Sequence, residues 1–399
     1  MRTRVRSVAL AASLLVSVPV FSPRSAEAGS YQFRSIAEFD GMGGPPVGNL
    51  GIDAAGNIYG VARSRLLDHH GTVFKLDTGS STPRAVAIFD DAAGGSPAAG
   101  VAVDAAGNVY GATTGFGTGG KGTVYKIDAA TGALSKPVVF DGVNGAYPEA
   151  GVAVDAAGNI YGSSRGGVFK IEGATGALTT LAPGVNSSVA VAVDAAGNLF
   201  GATAGDGKTS FGSLFKIDAG TDALHTLATL KGNAGAGVGP NGDLALDAAG
   251  NLYFATGHSS PYDDIGVFKY DAVTGAVTNL ALFGGRTNII GGPVVDAAGN
   301  VYGISFPYDQ GYGGEVFKID AQTGVLSTIH SFDEVLGTYP YSGLTIDAAG
   351  NLYGTWTMEG RTYIFELSPV PEPASLAMLA LGAGVVGVAA VRRKRSPGA

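Results

Sequence analysis

Apolar and polar positions alternate along most of this chain in short runs separated by Asp, Asn, Gly and Thr-Gly. A short alternating run bounded by turn residues is the mark of a strand with one face buried. In Thr72 to Asp77 the alternation sends Phe74 and Leu76 to one side and Val73 to the other. Both sides are apolar, so both need a neighbour, while Lys75 can lay its stem over apolar surface and keep its ammonium in water. The same order returns at Thr123 to Asp128, Gly167 to Ile171, Ser213 to Asp218, Gly266 to Asp271 and Glu315 to Asp320.

These runs belong to a larger period. The string Asp-Ala-Ala-Gly-Asn begins at Asp53, Asp104, Asp155, Asp194, Asp247, Asp296 and Asp347, with spacings of 51, 51, 39, 53, 49 and 51 residues. One strand is expected before the string, as in Gly100 to Val103, and one after it, as in Asn108 to Gly111. The Phe-Lys run is the third, and the fourth follows a Thr-Gly turn, as in Leu326 to Phe332. Four strands in about 50 residues is the size of a propeller blade. The two alanines fit a type I turn, the glycine takes the positive φ that closes a hairpin, and the aspartate can accept N–H groups of its own turn. The predicted fold is therefore all-β, a seven-bladed β-propeller of four-stranded antiparallel blades over residues 29–369. The seventh repeat stops after its third strand, Tyr363 to Leu367, and Phe33 to Asp40 looks like the missing fourth. Pairing the two would close the ring without an open sheet edge.

The array from 31 to 368 resembles the GloVer-type tandem repeats, marked by Gly-Asn-Leu-Tyr-Gly followed by Gly-Thr-Val-Phe-Lys-Ile-Asp. That resemblance implies an array that commonly ends in a sorting anchor, and it carries no defined activity. Repeat three departs from the pattern, with a short loop before Val168 and Leu181-Ala182-Pro183 in place of a Phe-Asp ending; repeat five has Phe254 where glycine is usual.

The two ends change the picture. Residues 1–28 read as a signal peptide: Arg2, Arg4 and Arg6 precede the apolar run Val8 to Phe21, and Ala26-Glu27-Ala28 offers signal peptidase a cleavage point between Ala28 and Gly29. Residues 370–399 read as a sorting and anchor segment. Pro371-Glu372-Pro373 stands before the uncharged stretch Ala374 to Val391, long enough to cross a bilayer as a helix, and Arg392-Arg393-Lys394-Arg395 follows at once. Clustered cations stay on the cytoplasmic side, which leaves the preceding domain outside. This three-part order resembles the PEP-CTERM sorting signal of Gram-negative bacteria. The resemblance implies processing by an exosortase-like membrane enzyme and a link to exopolysaccharide or biofilm production; an ordinary C-terminal anchor is the plainer alternative. The expected location is an inner-membrane-anchored precursor and then the cell surface or extracellular matrix.

Composition agrees with many short strands: 65 glycines, 45% apolar and 15% charged residues among 399. Without the two end segments the domain carries 17 basic and 31 acidic side chains, a net charge of −14. Such a domain suits neither nucleic acid nor an anionic membrane surface. Cysteine is absent, so the exported fold must stand on its core without disulfides.

Chemistry is sparse. A catalytic group is needed once, a structural group in every blade, so the seven turn aspartates are expected to be structural. Each turn also offers one carboxylate where a calcium loop gathers several. His69, His70, His225, His258 and His330 show no metal-ligand spacing, and no nucleophile elbow or phosphate-cradling loop occurs. No catalytic residue, metal or cofactor is expected. The unlike segments are the second-to-third and fourth-to-first connections, which in a propeller emerge on one face. They carry Arg63, Arg65, Phe116, Arg165, His258 and Asp263 among others, and the candidate binding residues Phe211, Tyr262, Tyr308, Tyr312 and Trp356. Aromatic rings beside short polar groups suit sugar stacking and hydrogen bonding. The favoured reading is a monomeric, non-enzymatic display module that binds polysaccharide or a surface protein. An enzyme of the lactonase or NHL-like type and a purely structural matrix component are the alternatives, discriminated by whether unlike polar residues converge on the propeller axis.

Overall fold

The computed structural model describes residues 30–39, 44–63, 70–90, 94–97, 99–117, 119–185, 190–203, 212–230, 238–257, 265–284, 287–307, 313–332 and 338–370. The expected signal peptide with Ala28 and Gly29, and the sorting residues Pro371, Glu372, Pro373, Arg392, Arg393, Lys394 and Arg395, lie outside them. Among the described residues no helix is long and apolar enough to cross a membrane.

The Asp-Ala-Ala-Gly-Asn string folds as its chemistry requires. Gly56 N donates to Asp53 O at 2.9 Å, Asp53 N donates to Asn57 O at 3.1 Å, and the same two bonds recur in all seven copies. Gly56 has φ of +78°, which a side chain rarely tolerates. The turn joins the inner strand of each blade, Pro46–Ile52 in the first, to the second, Ile58–Ala62. The third strand, Thr72–Leu76, and the outer strand, Arg84–Ile88, complete the sheet in chain order. Seven antiparallel sheets of this plan follow one another. Where third and outer strands pair, the register shifts in every blade, as between Val73 and Phe74. Such bulges strengthen the right-handed twist of the blades.

The glycine of the second strand has a packing reason. Gly60 lies opposite Phe74, and a Cβ there would stand 2.6 Å from the Phe74 ring. Gly111, Gly162, Gly201, Gly303 and Gly354 meet the ring of their own third strand in the same way. Blade five solves the problem differently: Phe254 replaces glycine and its ring stacks on Phe268, 5.5 Å between centroids and 17° between planes.

The core is distributed among the seven interfaces between blades. Phe74 and Leu76 pack with Ala37, Phe39 and Ile364 of blade seven, whereas Val73 packs with Val109, Tyr125 and Ile127 of blade two. The alternation expected of the third strand is thus used on both sides.

The ring closes as the ends of the array predict. Tyr31–Phe39 pairs antiparallel with Arg361–Pro369, setting Phe33 against Leu367, Ser35 against Phe365 and Phe39 against Thr362. Phe33 stacks on His330 at 4.1 Å and on Phe365 at 5.5 Å, and meets Trp356 edge-on at 5.7 Å. Blade seven has Glu366 opposite Tyr353 where the other blades place a lysine opposite the aromatic ring. Arg34 of the closing strand supplies the missing cation, 3.6 Å from Glu366.

Candidate functional site

The face formed by the repeated turns is occupied by its own hydrogen bonds. Asp53 Oδ1 accepts from the N–H groups of Ala55 and Asn57, both at 2.9 Å. Its Oδ2 accepts from Asn57 Nδ2 at 2.8 Å and from the Tyr59 hydroxyl at 3.0 Å. Asn57 Oδ1 in turn accepts from Thr78 N, tying the turn to the end of the third strand. Burial works to raise the Asp53 pKa, but the bonds from Asn57, Tyr59 and Ala55 outweigh it and hold the carboxyl below its ordinary value. Asp104, Asp155 and Asp247 behave alike. Asp194 lacks the tyrosine bond because Phe200 stands in its place, and it keeps the bonds from Ala196 and Asn198. Asp296 and Asp347 repeat the full set. The oxygens of these carboxylates are taken up by hydrogen bonds of their own turns, and among the described residues no group of three or more His, Cys, Asp and Glu is placed to hold a metal.

The same face carries a depression of about 210 Å³ between blades three and four, where the repeat is shortest. Two of its carboxylates have partners: Asp155 is held in its turn, and Asp218 meets Lys216 and His225, each at 2.7 Å.

At the axis, the residue four places before each turn aspartate forms a ring: Asn49, Gly100, Gly151, Ala190, Asp243, Gly292 and Gly343. Five members are small, and the two polar ones meet. Asn49 Nδ2 donates to Asp243 Oδ2 at 2.5 Å, bridging blades one and five. A Cβ on Gly343 or Gly291 would collide with the Asn49 amide, so glycine there makes room for the bridge. Asp243 is half-buried, and the protein packed around it pushes its pKa up to about 6. The sequence offered no convergent polar cluster at the axis; among the described residues the structure brings Asn49 and Asp243 together there.

On the variable face the expected site divides. Phe211, Tyr262, Tyr308 and Tyr312 lie outside the described residues. Trp356 is not a loop residue: it sits within the strand Leu352–Met358, and its ring packs against Phe33, Phe332 and Tyr363. The connection that follows is the two-residue turn Glu359-Gly360, with φ of +51° and +79°, so the aromatic position belongs to the blade.

Blades one to three bring together a different set. His70 and Phe116, from the second-to-third connections of blades one and two, stack at 3.8 Å and 13°, and Phe116 remains 41% exposed. Arg165 lies over the Tyr147 ring, 4.8 Å from its centroid, and pairs with Glu149 at 2.8 Å. Lys121 Nζ donates to the Tyr147 hydroxyl at 2.9 Å. The backbone locks the segments together: Tyr147 N donates to Lys121 O at 2.8 Å, Arg165 N to Ala146 O at 2.7 Å, and Gly122 N to Phe116 O at 3.4 Å. Ser96, Phe116 and Tyr147 adopt φ of +58°, +60° and +51°, unusual for residues with a side chain. Such strain gathers where a fixed side-chain geometry is used. Arg165 and Phe116 stood out in the sequence as members of unlike loops. Lys121, Tyr147 and Glu149 did not, although the short loop of repeat three, which sets Arg165 beside Tyr147, was visible.

Solved structures share the fold at low identity. The extracellular domain of a one-component system from B. thetaiotaomicron matches 86% of this chain at 13% identity and a TM-score of 0.58, and this chain spans 40% of that one. A chain of the mitotic checkpoint complex matches 90% at 12% identity and a TM-score of 0.53, covered over its whole length. The tricorn protease matches 88% at 14% and 0.51, with 36% of its own chain covered. No curated protein matches the sequence. Residues 369–394 match the PEP-CTERM protein-sorting motif, which marks the chain for export in a Gram-negative bacterium and for processing by an exosortase-type system. With residues 21–187 and 163–367 both matching the family model, the chain belongs to the Gloeobacter/Verrucomicrobia repeat family.

Proposed function

We propose that the protein is an exported, surface-displayed binding module without enzymatic activity, which engages polysaccharide of the cell envelope or biofilm matrix through the variable face of its propeller. Its precursor is held in the inner membrane by the apolar C-terminal segment until an exosortase acts, and the mature domain works as a monomer. The observation that carries this reading is the contrast between the two faces. The repeated face spends its polar groups on its own turns, whereas blades one to three expose an aromatic ring and unlike polar groups from separate connections. Fold alone does not decide the matter, since propellers serve many functions.

Sedimentation of the purified propeller with polysaccharide isolated from the producing cells tests the reading. The wild-type domain is expected to pellet with the polymer. A variant carrying Phe116→Ala, Tyr147→Ala and Arg165→Ala is expected to stay in the supernatant with its thermal transition intact, because exposed connections contribute little to the blade cores. Equal retention of both proteins in the supernatant favours the purely structural alternative.

A further inference from the structure

We infer that the sector His70–Phe116–Lys121–Tyr147–Glu149–Arg165 is a subsite for an uncharged pyranose polymer, with Phe116 as the stacking platform and the Arg165–Glu149 pair and Lys121 as readers of ring hydroxyls. The inference rests on the binding reading above and names the chemistry of its ligand.

Three observations select this class. First, Phe116 is 41% exposed, and His70 stacks on its ring 3.8 Å away. A ring backed in this way is held flat and offers one apolar surface, which suits the C–H face of a pyranose. Second, the polar groups are charge-compensated in place. Arg165 and Glu149 neutralise each other at 2.8 Å while staying 66% and 53% exposed, so their outward atoms can donate to and accept from neighbouring hydroxyls. A vicinal diol, donor and acceptor at once, matches an exposed guanidinium–carboxylate pair. Lys121, fixed on the Tyr147 hydroxyl, adds a donor. Third, the domain as a whole carries −14, which disfavours a polyanion, while the nearby carboxylate that would attract a polycation is already paired with Arg165. Tyr147 is a positioning residue: Arg165 covers its face, Lys121 holds its hydroxyl, and its own backbone is tied to Lys121. Phe116 and Lys121 share one connection, where Gly122 bonds back to Phe116 and Lys121 accepts from Tyr147, the residue that Arg165 covers. That continuity fits adjoining units of a chain.

Affinity electrophoresis in native gels containing hydroxyethylcellulose, dextran or polygalacturonate, run beside the sedimentation assay with the producing cells' own polymer, tests this. Retardation by a neutral glucan that persists in 0.5 M salt is expected, with Phe116→Ala weakening it roughly tenfold. Arg165→Gln and Glu149→Gln should each weaken it too, and unchanged melting temperatures keep those losses interpretable. The inference is overturned, and the binding reading left standing, by retardation by polygalacturonate alone that vanishes with salt, or by retardation by a neutral glucan that Phe116→Ala does not change. Sedimentation with the native polymer and no retardation by either neutral glucan also overturns it. Failure to sediment with the native polymer removes both.

Discussion

The carboxylate of the repeated turn shows how a residue type that suggests chemistry is used up by structure. With two backbone N–H groups, an amide and a phenol on its two oxygens, Asp53 has no lone pair left aimed at solvent for a metal. Repetition in the sequence points the same way, since seven equivalent sites suit a scaffold better than a catalyst. One third-strand residue breaks the repeat at a cost. Tyr125 stands where the other blades have Phe74, Phe169, Phe215, Phe268, Phe317 and Phe365, and its hydroxyl is fully buried without a hydrogen-bond partner. An unmet buried hydroxyl destabilises a fold by about 1–3 kcal/mol. Tyr125→Phe is therefore expected to raise the stability by about 1 kcal/mol in urea denaturation without a change in slope. A loss of stability would mean that the hydroxyl has a partner in solution.

At the scale of elements, the strands were legible because turn chemistry and alternation agree in every repeat. The closing strand was legible because Phe33 to Asp40 repeats the pattern of Leu326 to Asp333. Trp356 was misplaced because nothing in Thr355 to Arg361 resembles the Asn-Gly or Asp-Gly pair of a tight hairpin, yet Glu359 accepts the positive φ of such a turn. The long connection assumed from the other blades is absent in blade seven. The closing strand also creates an acid-sensitive contact. His330 lies against Phe33 and Phe332, and burial holds its pKa down to about 4, against an ordinary 6.5. The unfolded chain therefore takes up a proton between pH 6.5 and 4 that the folded chain refuses. The stabilising contribution is full above pH 6.5 and is lost as pH falls towards 4, amounting to about 3 kcal/mol at most. His330→Phe keeps the stack and removes the proton site, so its melting temperature should fall less than that of the wild type between pH 7 and 4.5. Parallel curves for the two proteins would show that the ring closure does not depend on a neutral His330.

For the whole molecule, the periodic part of the sequence determines a ring, and the aperiodic part decides what the ring carries. Contacts between repeats escape a reading along the chain: Asn49 and Asp243 are 194 residues apart, and His70 meets Phe116 only because blades one and two pack side by side. The axial pair is the clearest case, since its ring of equivalents is otherwise Gly or Ala and the polar members look incidental in sequence. Its energetics run against stability at neutral pH. With the Asp243 pKa raised from 3.8 to about 6 by burial, the folded state holds a proton between those values that the unfolded chain releases. Stability from this group is thus greatest at low pH and declines as pH rises through 6, by an amount on the order of 2–3 kcal/mol. Removing the charge while keeping the hydrogen-bonding shape should recover that loss. Asp243→Asn can still accept from Asn49 through its amide oxygen, so the variant is expected to unfold at higher urea than the wild type at pH 7.5, and at the same urea near pH 4. A variant less stable at pH 7.5 would show that the ionised carboxylate, through its bond to Asn49, contributes more to holding blades one and five together than its burial costs.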